Sequence, residues 1–390
     1  MKINNCYLLN FRNFDNLNIK FLDRINIITG SNAVGKTNII EGVYFSAKGK
    51  SFKAVSQENL IKFDKDESFI RTDINSDGLE EKIEVKLSRN GQKVVRINEN
   101  KIDTMQQLRT FFDIVTFTPE DIKIIKETKS YRRNFIDEVI SGILPGFNIV
   151  LIKYNNILNQ RNHLLKNQNR EKYFKEQIIA STRQMAEEGA KILKVRSKYI
   201  RIIEEFAKTI HIRLTDESEQ LSILYNGQSE DCYKDMESNY KMLFDKMLNS
   251  LEKDLYRGFS SVGPHRDDIE IFINNMDSRV FLSQGQQRTL ILTLKLAQLK
   301  MFHDIKEIGP VILLDDVFSE LDENRTNYLL NEIKDYQSII TATSESFIDG
   351  YDGEYRVFEL QDSKLKVKKY RWKEKIWLKI EIMVLRILRF

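Results

Sequence analysis

Cysteine is scarce in this chain. Its two cysteines, Cys6 and Cys232, lie far apart and form no C-x-x-C pair. That argues against a disulfide framework and against a cysteine zinc site, and a reducing compartment fits. Four prolines and 16 glycines in 390 residues leave little material for long disordered linkers. No run of 18 or more apolar residues occurs, so no segment is expected to span a membrane. The start, Met1-Lys2-Ile3-Asn4-Asn5, lacks the basic region and apolar core of a signal peptide, and a cytoplasmic protein is expected. Most of the chain also lacks an excess of positive charge. The net charge is +4, but residues 361–390 hold 10 Lys or Arg against 3 acids, so residues 1–360 are net −3. Any nucleic-acid surface must therefore be a local patch.

What is present is an ordinary composition, 41% hydrophobic and 30% charged, with length for two or three domains. The chain is organised around Gly30-Ser31-Asn32-Ala33-Val34-Gly35-Lys36-Thr37, the pattern G-x-x-x-x-G-K-[ST]. It follows an apolar stretch, Ile25–Ile28, that reads as a short buried strand, and it opens into a helix beginning near Asn38. Strand, glycine-bounded loop and helix in that order are the context of a phosphate-binding loop. The glycines let the backbone curl with its N–H groups inward, and the helix start adds partial positive charge. Gly30–Thr37 together with Asn38 is expected to bind the nucleotide: Lys36 would bridge the β- and γ-phosphates of ATP, and the Thr37 hydroxyl would ligate Mg²⁺.

Before the loop, residues 7–11 and 17–21 read as strands joined at Arg12-Asn13. Two readings stand for Arg12: contact with a phosphate or ribose, or a solvated turn arginine. Residues 69–98 alternate as an antiparallel meander, with turns at 76–78 and 89–91. A strand at 114–118 ends at Pro119, and from there to about residue 257 the spacing is helical. Arg132, Arg133, Lys153, Arg161, Lys166 and Arg170 recur along these helices. Their bland reading is a charged exterior and their sharper one a patch that tracks DNA phosphates. Strand character returns at Ile269–Ile273 and, after a tight turn at Asn274-Asn275, at Arg279–Phe281.

Two further constellations follow. Ser283-Gln284-Gly285-Gln286-Gln287-Arg288 precedes a largely apolar helix; Ser283 is a good N-cap, and the helix start either presents N–H groups to an anion or is plainly capped. Val311-Ile312-Leu313-Leu314-Asp315-Asp316 is a continuous apolar strand ending in two acids, as in a parallel sheet covered on both sides. Asp315 is expected to hold Mg²⁺ and Asp316 to orient the attacking water. Ile339–Thr343 is another short strand ending in hydroxyls.

With these constellations in order, residues 1–360 resemble the RecF family of SMC-class ABC ATPases. The resemblance rests also on Asn10–Phe14, Ser51–Lys53, Phe117–Asp121, Arg132–Asp137, Gln160–Asn162 and Gly263-Pro264-His265-Arg266-Asp267-Asp268. It implies an α/β fold: an ABC-type ATPase head (lobe I, residues 1–117 and 258–365) with an antiparallel β subdomain, and an inserted α-helical lobe II (118–257). Residues 366–390 form a basic amphipathic tail outside that pattern. The resemblance further implies ATP on Gly30–Thr37 of one subunit, closed over by Ser283–Gln286 of a second, so that ATP makes a homodimer. That dimer would clamp duplex DNA near single-strand gaps and, with RecR and RecO, help load RecA. Slow, DNA-stimulated hydrolysis would reset it. Asp316 stands where transporter-type ABC ATPases carry Glu. Only Thr341 and Thr343 occupy the place of the switch histidine, and Glu120 is the nearest match to the Q-loop residue. The competing reading, an ATPase subunit energising a transporter, would need a Leu-Ser-Gly-Gly-Gln signature where this chain has Leu-Ser-Gln-Gly-Gln.

Overall fold

Two kinds of strand recur, one alternating and half exposed, the other apolar throughout, and they build two different sheets. The computed structural model describes residues 1–53, 56–76, 78–167, 173–226, 235–306 and 309–371. The first stretch carries β1 (Lys2–Phe11), β2 (Phe14–Lys20), β3 (Ile25–Thr29), α1 (Lys36–Lys48), β4 (Glu67–Ser76), β5 (Leu79–Ser88), β6 (Lys93–Ile97), β7 (Asn100–Lys101), α2 (Met105–Phe111) and β8 (Ile114–Phe117). The middle is mainly helical: α3 (Lys123–Lys126), α4 (Lys129–Ile143), α5 (Pro145–Lys166), α6 (Phe174–Leu214), β9 (Leu221–Asn226), α7 (Met236–Asn249), α8 (Leu251–Arg257), β10 (Asp268–Ile273), β11 (Met276–Asp277), α9 (Ser278–Phe281) and α10 (Gln284–Lys306). The chain ends with β12 (Val311–Asp315), α11 (Glu323–Ile333), β13 (Ser338–Ala342), β14 (Tyr355–Gln361) and β15 (Lys364–Arg371).

These elements form two compact units, Met1–Pro119 with the segment from Gly309 onward, and Glu120–Ile308. In the first unit the alternating strands make an antiparallel sheet in the order β2-β1-β4-β5-β6-β7. The apolar strands make the other sheet, β15-β14-β3-β13-β12-β8, in which β14, β3, β13, β12 and β8 run parallel. Every residue of β3, β12 and β13 is buried, as a parallel strand covered on both faces requires. Ile39, Ile40, Val43, Tyr44, Phe45 and Ala47 of α1 share one core with Leu8, Ile70 and Val85 of the first sheet and Ile28, Leu313 and Ile339 of the second. Gly42 permits this packing. A Cβ there would lie 2.7 Å from Leu8 Cδ2, so a larger residue would force Leu8 or the helix to shift.

The second unit packs α4, α5, α6 and α10 with a small antiparallel sheet, β11-β10-β9. Its spine is α6, a 41-residue helix with a buried face that includes Met185, Leu193, Ile200, Ile203 and Ile210. Residues 258–308 group with this helical unit. Two expectations change here. Within 118–257 the chain is not helical throughout, because Leu221–Asn226 pairs with β10 as a strand. Residues 279–281 are the end of a helical turn, not a returning strand, since Asp277 caps α9 by accepting the Arg279 N–H at 2.9 Å. At the C-terminus, residues 366–371 belong to β15, paired antiparallel with β14. The rest of the expected tail, with Trp372 and Trp377, lies outside the described residues, as do Asp77 and Arg170.

Candidate nucleotide-binding site

In the parallel sheet, register brings three strand ends together. Thr341 of β13 pairs with Asp315 of β12 on one side and with Ile28 of β3 on the other. The phosphate loop leaves β3 and the acid pair leaves β12, so both lie at the carboxyl edge, where open α/β sheets bind ligands. The side chains converge as the backbone does. Thr37 Oγ1 donates to Asp315 Oδ1 at 2.8 Å, and Thr341 Oγ1 donates to the same oxygen at 2.7 Å. The Asp316 backbone N–H donates to Thr341, with 3.1 Å to its Oγ1. Thr341, expected from sequence at a strand end in the place of the switch histidine, is part of the acid-pair cluster; Thr343 has no such contact among those described.

Lys36 is buried and donates to the carbonyl oxygens of Gly30 at 2.6 Å and Ser31 at 2.9 Å. Burial holds its ammonium below the usual lysine range, opposed by the charges of Asp316 and Asp315. Asp316 moves the other way. Burial raises its carboxyl above the usual range, Lys36 opposes this, and Asp315 adds to it. Asp316 also sits in the left-handed region at φ 54°, and its buried Oδ1 has no hydrogen-bond partner among the described residues. A strained backbone and an orphaned carboxylate oxygen beside a buried lysine mark a site built for an absent polar group.

The loop is braced from outside. Gly35 has φ 108°, and a Cβ on it would lie 2.6 Å from Asn13 Nδ2. Asn13 Nδ2 donates to the Val34 carbonyl at 3.1 Å, and Asn13 Oδ1 accepts from Asn38 at 2.8 Å. The bracing role of Asn13 was not visible in the sequence; its partners lie 21 and 25 residues away. Asn38, grouped with the loop from sequence, holds this brace. Ser31, Asn32 and Ala33 are exposed at the loop's tip. Arg12, expected at a phosphate or in solvent, is held within the protein. Its Nε and Nη2 grip both oxygens of fully buried Glu41 at 2.8 Å, and its Nη1 reaches the Asn59 carbonyl. A buried carboxylate on α1 demands such a partner. Glu120 ion-pairs with Lys123.

In the helical unit Ser283, Gln284 and Gly285 are exposed at the start of α10, and Gln286 is half-buried. Ser283 and Gln286 form a reciprocal capping box: the Ser283 N–H donates to Gln286 Oε1 at 2.9 Å and the Gln286 N–H to Ser283 Oγ at 3.3 Å. The plainly capped reading therefore describes this stretch locally.

The three arginines expected on DNA each hold a partner within the protein. Arg161 is wholly buried, with Nη1 at 2.9 Å from Asp254 and 2.7 Å from Ser260. Arg132 grips Asp268 with two nitrogens at 2.9 and 3.1 Å. Arg133 donates to the Asp267 carbonyl at 2.6 Å. The acids held by Arg132 and Arg161 belong to the Gly263–Asp268 block and to α8, so these two buried cations tie the unit together, while Arg133 is half-buried on a backbone carbonyl. His265 of the same block is held down to about 4 by burial, with Arg266 and Arg133 adding to the effect, and its Nδ1 lies 2.7 Å from the Tyr154 hydroxyl. Among the described residues no helix is long and apolar enough to cross a membrane, and no group of three or more His, Cys, Asp or Glu gathers as a metal cluster.

Known proteins share this arrangement along nearly the whole chain. The family described as the RecF/RecN/SMC N terminal domain matches residues 2–366. A Clostridium acetobutylicum protein named DNA replication and repair protein RecF is 40% identical over 367 residues, 94% of this chain and 99% of that relative. A protein of the same name from Clostridium botulinum is 40% identical over 351 residues, 90% of this chain and 95% of the relative. A solved structure described as the recombination mediator protein RecF-ATP in the RecFOR pathway has a TM-score of 0.88 at 35% identity, covering 94% of this chain and 98% of that one. An Smc head bound to the C-winged helix domain of ScpA shares the fold alone, at TM-score 0.58 and 16% identity. The phosphate loop, the acid pair and the capped α10 stand in one order on one fold, matched over 94% of the length at 40% identity, and on that ground the chain belongs to the RecF family of ABC-type ATPases.

Proposed function

We propose that this chain is an ATP-dependent DNA replication and repair protein in which ATP assembles two copies around DNA and hydrolysis releases them. The observation that carries the reading is the cluster of Thr37, Asp315 and Thr341 at the carboxyl edge of the sheet, with the unpartnered Asp316 oxygen beside Lys36. That set suits a magnesium-bound triphosphate. The loop N–H groups and Lys36 would bind the phosphates, with Lys36 giving up the Gly30 and Ser31 carbonyls in exchange. Thr37 and Asp315 offer the hard oxygens that Mg²⁺ prefers, and would hold it. When bound, the ion supplies positive charge to the transferring phosphoryl group. Asp316 would accept a hydrogen bond from water and aim it at the γ-phosphorus; the bond to the β–γ bridging oxygen breaks, and ADP and phosphate form.

Ser283–Gln286 belong to the unit that does not carry the phosphate loop. Their role would be to close over the γ-phosphate of a second copy, so the anion satisfies donors from both chains. Loss of the γ-phosphate removes that shared contact. In this reading lobe I is the phosphate-loop unit and lobe II the helical one, the partners include DNA, RecO and RecR, RecA loading is the outcome, and the site of action is the cytoplasm. Hydrolysis rate against protein concentration, with and without duplex DNA, tests it. A rate per chain that rises with concentration and again with DNA is expected. A rate flat in both would mean a self-contained nucleotidase.

A further inference from the structure

The Gln286 side chain continues inward, into a chain of bonds that the nucleotide site does not use. Its Nε2 donates to Glu219 Oε1 at 2.8 Å. Glu219 Oε2 lies 3.0 Å from His211 Nε2, and His211 Nδ1 lies 2.9 Å from Thr293 Oγ1. His211 and Thr293 are fully buried, and the Glu219 side chain is 14% exposed. The bonds start on α10 at Gln286, cross Glu219 just ahead of β9 and His211 in the last turn of α6, and return to α10 two turns further on.

Hydrogen-bond bookkeeping places one proton. Nε2 of His211 faces a carboxylate oxygen of Glu219 at 3.0 Å, and one proton must lie between them. That contact occupies one Glu219 oxygen, and the other is left to accept from the Gln286 amide. On the opposite side, the Ser283 N–H takes Gln286 Oε1. A donor on one side and an acceptor on the other leave the amide a single orientation. Its oxygen is consumed within the protein, and the second Nε2 hydrogen is the part of the group left to give.

We infer that Glu219, held by His211, is a positioning residue for the α10 start: it fixes the Gln286 amide so that an N–H, and not the carbonyl oxygen, is offered to the γ-phosphate of a second copy. The inference rests on the reading of Ser283–Gln286 as the closing surface. Without Glu219 the amide is free to turn, and its oxygen would then meet phosphate oxygens. The effect falls on closure between copies and not on the first binding of ATP to the phosphate loop.

Three measurements on Glu219→Ala decide the matter: thermal unfolding, affinity for a fluorescent ATP analogue at protein concentrations where the chain is a monomer, and ATP-dependent dimerisation by sedimentation. The expected result is nucleotide affinity within twofold of wild type and dimerisation weakened about tenfold or more, the scale of losing a hydrogen bond to a charged group. In hydrolysis assays at fixed protein the loss appears in kcat at saturating ATP, with KM little changed. Glu219→Gln keeps an acceptor for Gln286 and is expected to restore dimerisation to within about threefold. Dimerisation of a folded Glu219→Ala within twofold of wild type overturns the inference. So does an equal loss in both variants, which would mean a general loss of packing. Should Glu219→Ala not fold, Thr293→Val removes the hydroxyl that holds His211 at near-constant volume; a severalfold loss supports the inference and unchanged dimerisation overturns it. A wild-type chain that stays monomeric with ATP overturns the reading beneath, and the inference falls with it.

Discussion

Asp316 and Lys36 are each displaced from their usual ionisation by burial, in opposite directions, and each partly restores the other. For an acid with a raised value, the protonated form is the one the fold favours. Its stabilising contribution is therefore full below the unfolded value of about 3.9 and is lost as pH rises through the raised one. At neutral pH the fold carries a charge it would be more stable without, as sites that need a charge do. The acid limb of hydrolysis is accordingly expected above the ordinary aspartate range, with activity falling as pH drops through it. Asp316→Asn should abolish that limb and lower turnover about a hundredfold or more, as removal of a water-orienting base does. It should also leave ATP-bound dimers persisting on DNA and raise the unfolding midpoint slightly at pH 7. Dimers that dissociate from DNA as fast as wild type would remove Asp316 from that role. The residues behind this prediction were legible in the sequence because each sits within a short contiguous pattern, Gly30–Thr37 or Val311–Asp316.

Longer-range features were not legible, and the arginines of α4 and α5 show why. From sequence, Arg132, Arg133 and Arg161 are cations on amphipathic helices, which suits a phosphate-tracking face. Their partners lie 136, 134 and 93 residues further along the chain, a separation that periodicity cannot span. The strand β9 escaped notice for the same reason, since its only described ladder is with β10 across α7 and α8. The relocation of Arg161 carries a prediction of its own. Arg161→Met should destabilise the helical unit by about 3–5 kcal/mol, because Asp254 would be left buried and unpaired. Adding Asp254→Leu should recover part of that loss in denaturant titrations. DNA affinity of the folded Arg161→Met protein, compared at one salt concentration, should match wild type; a large drop would return Arg161 to the DNA surface despite its burial.

At the scale of the whole molecule, charge limits what one copy can do. Residues 1–360 are net −3, so outside the basic residues 361–390 a single chain has no general attraction to a polyanion and depends on local cations. Counterion release makes the number of phosphate contacts measurable: the slope of log affinity against log salt is about −0.9 for each phosphate neutralised on a duplex. If ATP sets two copies on one stretch of DNA, the contacts double and the slope steepens. Lys36→Ala removes the ammonium that would hold the phosphates, and it should lose ATP binding and with it the ATP-dependent dimer. Its slope on duplex DNA, with ATP present, should then be about half that of wild type, and the same as that of wild type without nucleotide. This comparison separates two ways in which ATP can help. An allosteric change within one chain alters affinity at a fixed number of contacts and shifts the line without tilting it. Assembly of a second copy tilts it. Parallel lines for wild type and Lys36→Ala would place all DNA contacts on the single chain and remove the clamp, whatever the nucleotide affinity proved to be.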